Sequence, residues 1–241
     1  MIYLINQLFI FIYKVKYKLY IRNYKLYSFK RSLEKTFKTN KEFSFIQVGA
    51  NDGISFDDLY DFVTKRKSFG VVIEPVKSYF EELKSNYLNF PNIVPVNMAV
   101  FHQKDVLDIY KINPEKSSIY PDWVKGIASF DKMHHKKLKI NEEDIIIEKV
   151  KADHLMNIIG SNFNGDYYNV DLFQVDTEGF DYEVIKMIDF KKLHPKIIKF
   201  EFVNLEPSNR EKLNKLLQDE KYILFNEGGD TIAVDINRVL L

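Results

Sequence analysis

A doubly wound α/β fold, with a mostly parallel sheet and an antiparallel edge strand, is what this sequence predicts. Three observations carry it. Strand and helix texture alternates from Phe43 onward, a Gly-rich turn follows the first strand, and a Gly-Gly hairpin lies near the end. Alternating βα units place helices on both faces of a parallel sheet, and a tight hairpin forces one reversed strand.

The elements follow in order. Residues 45–48 form a short apolar run ending in Gly49, and Ser55 with Asp58 three positions on has the pattern of a helix cap. Residues 69–73 are the next strand. After Pro75, Tyr79, Phe80, Leu83 and Tyr87 recur at helical spacing before a strand at 93–96. Segments 106–112 and 145–150 read as added β structure around a loop-rich insertion, residues 113–140. Strands at 171–175 and 196–202 alternate with a helix after Gly179 and another at 208–219. A hairpin of 222–225 and 231–236 turns at Gly228-Gly229.

The chain of 241 residues is 46% hydrophobic, enough for one main core, and no Ser/Gly/Pro-rich linker or repeat divides it. The expected organisation is an N-terminal helical extension, residues 1–42, and one α/β domain, residues 43–241. With no cysteine, disulfides, thiolate zinc sites and a cysteine nucleophile are excluded. A net charge of +1 hides an asymmetry. Residues 1–42 carry ten Lys and Arg against two Glu, a net +8, and the remaining twenty-five against thirty-two leave −7.

The apolar run at residues 1–13 is shorter than the roughly 20 residues that span a bilayer. Lys14, Lys16, Lys18 and Arg22 follow the run rather than precede it, and no small-residue cleavage site comes after, so a secretory signal is not expected. Read as a helix over 4–27, the segment aligns Leu4, Leu8, Phe11, Val15, Leu19 and Leu26 in one stripe. Lys14, Lys18 and Lys25 form a second stripe, and Tyr13, Tyr17, Tyr20, Tyr24 and Tyr27 a third. That pattern suits a helix lying in a membrane interface, and equally one packing on its own domain or on a second copy. The expected location is the cytoplasm or the cytoplasmic face of a membrane.

Chemistry concentrates at two turns. Val48-Gly49-Ala50-Asn51-Asp52-Gly53 has a G-x-x-x-G spacing between strand and helix, where small residues let backbone N–H groups approach a ligand. It lacks the G-x-G-x-x-G of pyrophosphate-binding turns, so a ligand without phosphates fits better. Glu74 ends the next strand. Alone it is a strand-end acid, but with the Gly turn in register it is placed to accept both ribose hydroxyls of an adenosine. Asn97 and Ala99, after the third strand, are candidates to frame an adenine ring.

Asp176-Thr177-Glu178-Gly179-Phe180-Asp181 follows a strand, so its carboxylates project from the carboxyl edge of the sheet, where open α/β folds bind ligands. A solvated loop of capping acids has the same look. In the insertion, Trp123, Ser129, His134 and His135 are candidates for contact with a substrate. The two histidines are also second-choice bases, although beside Lys132, Lys136 and Lys137 such a pair is more often part of a solvated basic run.

At these residues the chain resembles the FkbM methyltransferases, a Rossmann-like family. The likeness lies in Phe45 to Gly53, in Val72-Ile73-Glu74-Pro75, in Asp153-His154-Leu155, and in Val175 to Asp181 with Glu201 after it. The resemblance implies that Gly49, Ala50, Asn51, Asp52, Gly53, Glu74, Asn97 and Ala99 hold S-adenosylmethionine. It also implies methylation of a hydroxyl on a sugar, glycan or secondary metabolite. Gln47 departs from the acid many relatives carry, Thr177 from an aliphatic residue, and Asp181 from Glu. Methyl transfer is an in-line displacement that a base assists, which makes Asp176 the first candidate base and Glu178 its orienting partner. The same pair holding Mg2+ is the rival. The alternative function is a nucleic-acid methyltransferase or binding protein using the +8 segment on phosphate, although the −7 remainder shows no basic groove.

Overall fold

The computed structural model describes residues 2–18, 27–38, 41–55 and 59–241, with the backbone alone for residues 13–18 and 125. Its centre is a seven-stranded sheet of β1 (Glu42–Val48), β2 (Lys67–Ile73), β3 (Ile93–Val96), β8 (Leu172–Val175), β9 (Ile197–Glu201), β10 (Ile223–Glu227) and β11 (Asp230–Val234). The spatial order is β3-β2-β1-β8-β9-β11-β10. The β1 strand pairs parallel with β2 and β8, and β2 with β3 and β8 with β9 likewise.

The reversed strand stands one place in from the edge expected of it. The hairpin makes β11 antiparallel to β10, and β11 then inserts between β10 and β9, antiparallel to both. Edge strand β10 thereby runs with the parallel set.

Order reverses outward from β1 and β8, which makes that boundary the switch point of the sheet. β1 is buried from Phe43 to Val48 because it is covered on both faces, the usual state of a central parallel strand. Its side chains alternate. Ile46 and Val48 meet α7 (Leu155–Asn162), α8 (Asp181–Lys186) and α9 (Pro207–Asp219) in one core. Phe43 and Phe45 join the other core, which draws on α1 (Ile2–Lys18), α2 (Phe29–Thr36), α3 (Leu59–Thr64) and α4 (Lys77–Asn86).

The helix expected over 4–27 is seen as α1 through Lys18, and residues 19–26 lie outside the described residues, as does Asp58 of the expected cap. Ser55 instead donates to Asp52 Oδ2 at 2.6 Å. The α1 helix is tied to the end of the chain by Asn6, whose Nδ2 donates to the carbonyls of Ile236 and Val239 at 2.7 and 2.6 Å. Ser28 caps α2 through Arg31 N–H.

The added β segments build a second sheet, in the order β4 (Ala99–Val100), β7 (Ile145–Asp153), β5 (Asp105–Ile112), β6 (Ala128–Ser129). β5 and β7 form a long antiparallel ladder that carries the insertion between them. The insertion holds two further short helices, α5 (Asp122–Lys125) and α6 (His134–Lys137). Several contacts latch it to the main domain. Asn51 Nδ2 donates to the Gly126 carbonyl at 3.3 Å, and His134 Nε2 lies 3.1 Å from Glu178 Oε2.

Candidate active site

The turns that leave β1, β2 and β8 border a single cavity of about 330 Å3, within the range of small-molecule sites. One wall is the Gly turn, Gly49 to Asn51, with Glu74. Facing it are Asp176, Thr177 and Glu178, and the insertion roofs both with Trp123, Gly126, Ser129 and Phe130.

Gly49 has φ +77°, and a Cβ there would lie 1.8 Å from the Asp176 carbonyl oxygen. The turns after β1 and β8 therefore touch backbone to backbone, which only glycine permits. Behind them, Gly49 N–H and Ala50 N–H both donate to the Ile73 carbonyl, and Asp176 N–H donates to that of Val48. The second glycine has a different task from the ligand approach expected of it. A Cβ on Gly53 would come within 2.7 Å of Leu83 and 2.8 Å of Tyr87, so Gly53 lets the turn pack on α4.

Glu74 is buried, with Oε2 accepting from Asn51 N–H at 2.9 Å and Oε1 from Val76 N–H at 2.8 Å. Burial pushes its carboxyl up to about 7, against the pull of those two donors. Each oxygen keeps a lone pair for a ligand hydroxyl. Asn97 is not among the lining residues. Its amide donates to the carbonyls of Glu74 and Pro75 at 2.9 and 3.0 Å, fixing the chain that presents the acid. Ala99 lines the cavity beside Met98. Asp52 also stands back from it and closes the turn, its Oδ1 accepting from Ile54 and Ser55 N–H.

Carboxylates crowd the opposite wall. Asp176 opens onto the cavity, yet desolvation by the surrounding walls, then Asp181 and Glu178, push its carboxyl up to about 8. Asp181 is fully buried beneath it. It accepts from Thr177 N–H at 3.1 Å, Thr177 Oγ1 at 2.8 Å and Glu201 N–H at 3.2 Å, and burial still raises it to about 7. Burial and then Asp176 and Glu178 raise Glu201 to about 7 as well.

Glu178 adopts φ +52°, a conformation that costs a non-glycine residue energy and is held here by its partners. Its Oε2 receives Asn204 Nδ2 at 3.0 Å besides lying against His134, and Asn204 also donates to Glu201 at 2.7 Å. Both insertion histidines are buried, at 5% and 1% exposure, so they are not a solvated run. Burial lowers the His135 imidazole and favours its neutral form. Neither histidine lines the cavity. Ser129 is buried and does line it, with Oγ 3.5 Å from the Glu178 carbonyl oxygen, and Trp123 is half-exposed at the mouth.

The sequence reading assigns no role to Phe180 or Lys199, both of which line the cavity. Phe130 and Phe180 pack edge to face at 5.4 Å, and Phe101 packs against both, giving one apolar wall. Lys199 reaches the cavity from β9 and pairs with Asp230 at 3.1 Å. A lysine inside the otherwise apolar run Ile-Ile-Lys-Phe is the signal that marks it. Among the described residues no group of three or more His, Asp or Glu side chains is arranged to hold a metal ion.

The FkbM methyltransferase domain model matches residues 47–224, which includes both turns, Glu74 and the insertion. The chain belongs to the FkbM methyltransferase family. None of the curated proteins matches it. Solved structures with a similar fold include an FkbM methyltransferase from Methylobacillus flagellatus KT, 12% identical over 79% of this chain and 44% of that one, with a TM-score of 0.46. A METTL16 methyltransferase domain is 11% identical over 84% of this chain and 64% of its own, at 0.45. A precorrin-6Y C5,15-methyltransferase from Geobacter metallireducens GS-15 is 12% identical over 86% of each, at 0.42.

As an FkbM member the chain is an S-adenosylmethionine-dependent methyltransferase. The cavity chemistry fits that cofactor. A buried acid with free lone pairs stands at the end of β2, the Gly turn faces it without a phosphate-binding pattern, and apolar Met98 and Ala99 lie alongside.

Proposed function

We propose that this FkbM enzyme transfers a methyl group to a hydroxyl of a sugar, glycan or secondary metabolite. The observation that carries the proposal is one cavity in which Glu74 faces the carboxylates of Asp176 and Glu178 beneath an aromatic roof. Glu74 would receive the ribose hydroxyls, the turn from Gly49 to Asn51 would lie against the rest of the cofactor, and Met98 and Ala99 against its adenine. When bound, S-adenosylmethionine supplies an electrophilic methyl group on sulfur.

The residues opposite Glu74 then do the protein's share. Trp123, Phe130 and Phe180 give apolar faces on which a ring can lie, and Ser129 offers a hydroxyl. The Asp176 carboxylate would accept the proton of the acceptor hydroxyl as that oxygen is methylated, the electron pair of the broken methyl–sulfur bond staying on the cofactor's sulfur. Glu178, steadied by His134 and Asn204, orients the acceptor hydroxyl toward Asp176. The insertion shields Glu178 from bulk water through its contact with His134, while Asp176 stays open to the cavity.

A phosphate-rich acceptor is disfavoured, because Asp176, Glu178 and Asp230 all line the cavity and the nearby Lys199 is already paired. Incubating the purified protein with isotopically methyl-labelled S-adenosylmethionine and a panel of glycans, hydroxylated metabolites and RNA tests the reading by mass spectrometry. Methyl gain on a hydroxyl compound, absent with Asp176→Asn, is expected. Gain on RNA alone would replace this reading with the nucleic-acid one.

A further inference from the structure

Two faces of α1 are apolar, and among the described residues only one of them is covered. Asn6 and Ile10 are buried against the C-terminal segment and β10, with Asn6 bonded to the Ile236 and Val239 carbonyls and Phe9 set edge to face on Phe225 at 6.4 Å. At about 100° per residue, Leu4, Ile5, Leu8, Phe11 and Ile12 occupy an arc of about 120° on the opposite side. All five are exposed, Leu4 at 72%, Leu8 at 63% and Phe11 at 65%. Single exposed apolar residues are ordinary, but five contiguous ones on one helix mark a surface that something covers.

Charge selects the occupant. Residues 1–33 hold seven Lys and Arg and no Asp or Glu, and Lys14, Lys16 and Lys18 follow the exposed face within the same helix. A second copy seated on this face would bring two basic segments together, which like-charge repulsion opposes. An anionic lipid surface satisfies both features, taking the apolar side chains among its acyl chains and the lysines at its headgroups. Among the described residues no helix is long and apolar enough to cross a membrane.

We propose that α1 docks the enzyme on an anionic bilayer through Leu4, Ile5, Leu8, Phe11 and Ile12. Asn6 acts as the rivet that fixes the orientation of the helix on the catalytic domain. The membrane then faces a set side of the enzyme rather than the end of a loose tether.

Flotation of the full chain with vesicles of phosphatidylcholine, with and without phosphatidylglycerol, tests this. Partitioning is expected to be at least about tenfold stronger on the anionic vesicles and to fall severalfold in high salt, where exposed charges are screened. The triple variant Leu4→Ser/Leu8→Ser/Phe11→Ser alters exposed positions only. It should keep the thermal midpoint and cofactor affinity of the parent yet lose about tenfold or more in partitioning. Lys14→Gln/Lys16→Gln/Lys18→Gln should bind more weakly and with less response to salt. A parent that floats with neither vesicle, or a serine variant that floats like the parent, overturns the proposal. So does a parent that is a dimer free of lipid and becomes a monomer in the serine variant, which would make the covered face an interface between copies.

Discussion

The Nε2 of His134 lies 3.1 Å from Oε2 of Glu178, joining the insertion to the carboxyl edge of the main sheet across 44 residues of sequence. Both groups are largely shielded from water, where a charge-assisted contact is stronger than at the surface. The latch sets where the roof sits over Asp176.

His134→Ala should loosen the roof and release Glu178 without touching the cofactor wall. The expected outcome is a loss of roughly tenfold in kcat, with cofactor affinity by calorimetry within about threefold of the parent. His134→Gln, which can still donate to Glu178, should recover most of the loss. Turnover unchanged in both variants would separate the latch from the chemistry.

Gly49 and Gly53 should fail differently. A methyl on Gly49 meets the Asp176 backbone at 1.8 Å, so Gly49→Ala has to push the turns after β1 and β8 apart. It is expected to weaken cofactor binding and to destabilise by about 2–4 kcal/mol, since strain at positive φ adds to the clash. In Gly53→Ala the neighbours are the side chains of Leu83 and Tyr87, which can shift in part. Its loss should be smaller and should appear in the thermal midpoint more than in cofactor affinity. Equal stability in the two variants would contradict the backbone contact at Gly49.

Much of this site is legible in the sequence because its signals are local. A buried strand, a Gly turn, an acid at the next strand end and the Asp176 to Asp181 run each occupy a few consecutive residues, and α/β topology brings such strand ends to one edge. What is not legible depends on tertiary contact. His134 reads as part of a basic run because nothing in His-His-Lys-Lys announces that the first two residues turn inward and bury. Asn97 has the right position for a ligand, yet the carbonyls of Glu74 and Pro75 claim its amide. β4 and β6 are two residues each, too short to show any periodicity, so the second sheet cannot be read until β5 and β7 are seen to pair.

Glu74 links cofactor affinity to pH. Its carboxyl is pushed up to about 7, and hydroxyls that donate to it favour the ionised form, so binding should strengthen as pH rises toward and through 7 and then level off. Glu74→Gln should weaken binding by about 1–3 kcal/mol and flatten this pH dependence. Calorimetry from acid to alkaline pH reads both effects. A Gln variant that kept the slope would assign it to another group.

The buried acids also set a stability profile. Asp181 is raised to about 7 in the fold, while in the unfolded chain it ionises near the ordinary value of about 4. Between those values the folded state holds a proton that the unfolded state has lost, so stability is greatest below the unfolded pKa and falls as pH rises through 7. Glu201, also raised to about 7, acts with the same sign. The thermal midpoint of the cofactor-free protein should therefore decline from about pH 5 to pH 8. A midpoint that climbed over that interval would mean the three donors around Asp181 outweigh its burial.

Asp176 supplies the test of the chemistry. A proton acceptor has to be ionised, and desolvation with Asp181 and Glu178 nearby pushes this carboxyl up to about 8, so at neutral pH much of it is protonated and inactive. Turnover should rise with pH to a plateau above about 8, the midpoint belonging to the carboxylate cluster rather than to one residue, because its members titrate together. Asp176→Asn should lose roughly 10²- to 10⁴-fold in kcat while cofactor affinity stays within a few-fold, and the alkaline rise should vanish from what activity remains. A metal held by Asp176 and Glu178 predicts another pattern: chelation abolishes activity in the parent, magnesium restores it, and the pH midpoint moves with the identity of the ion. Indifference to chelator together with loss of the alkaline rise in Asp176→Asn leaves the carboxylate as the proton acceptor. Restoration by magnesium moves the pair to metal binding.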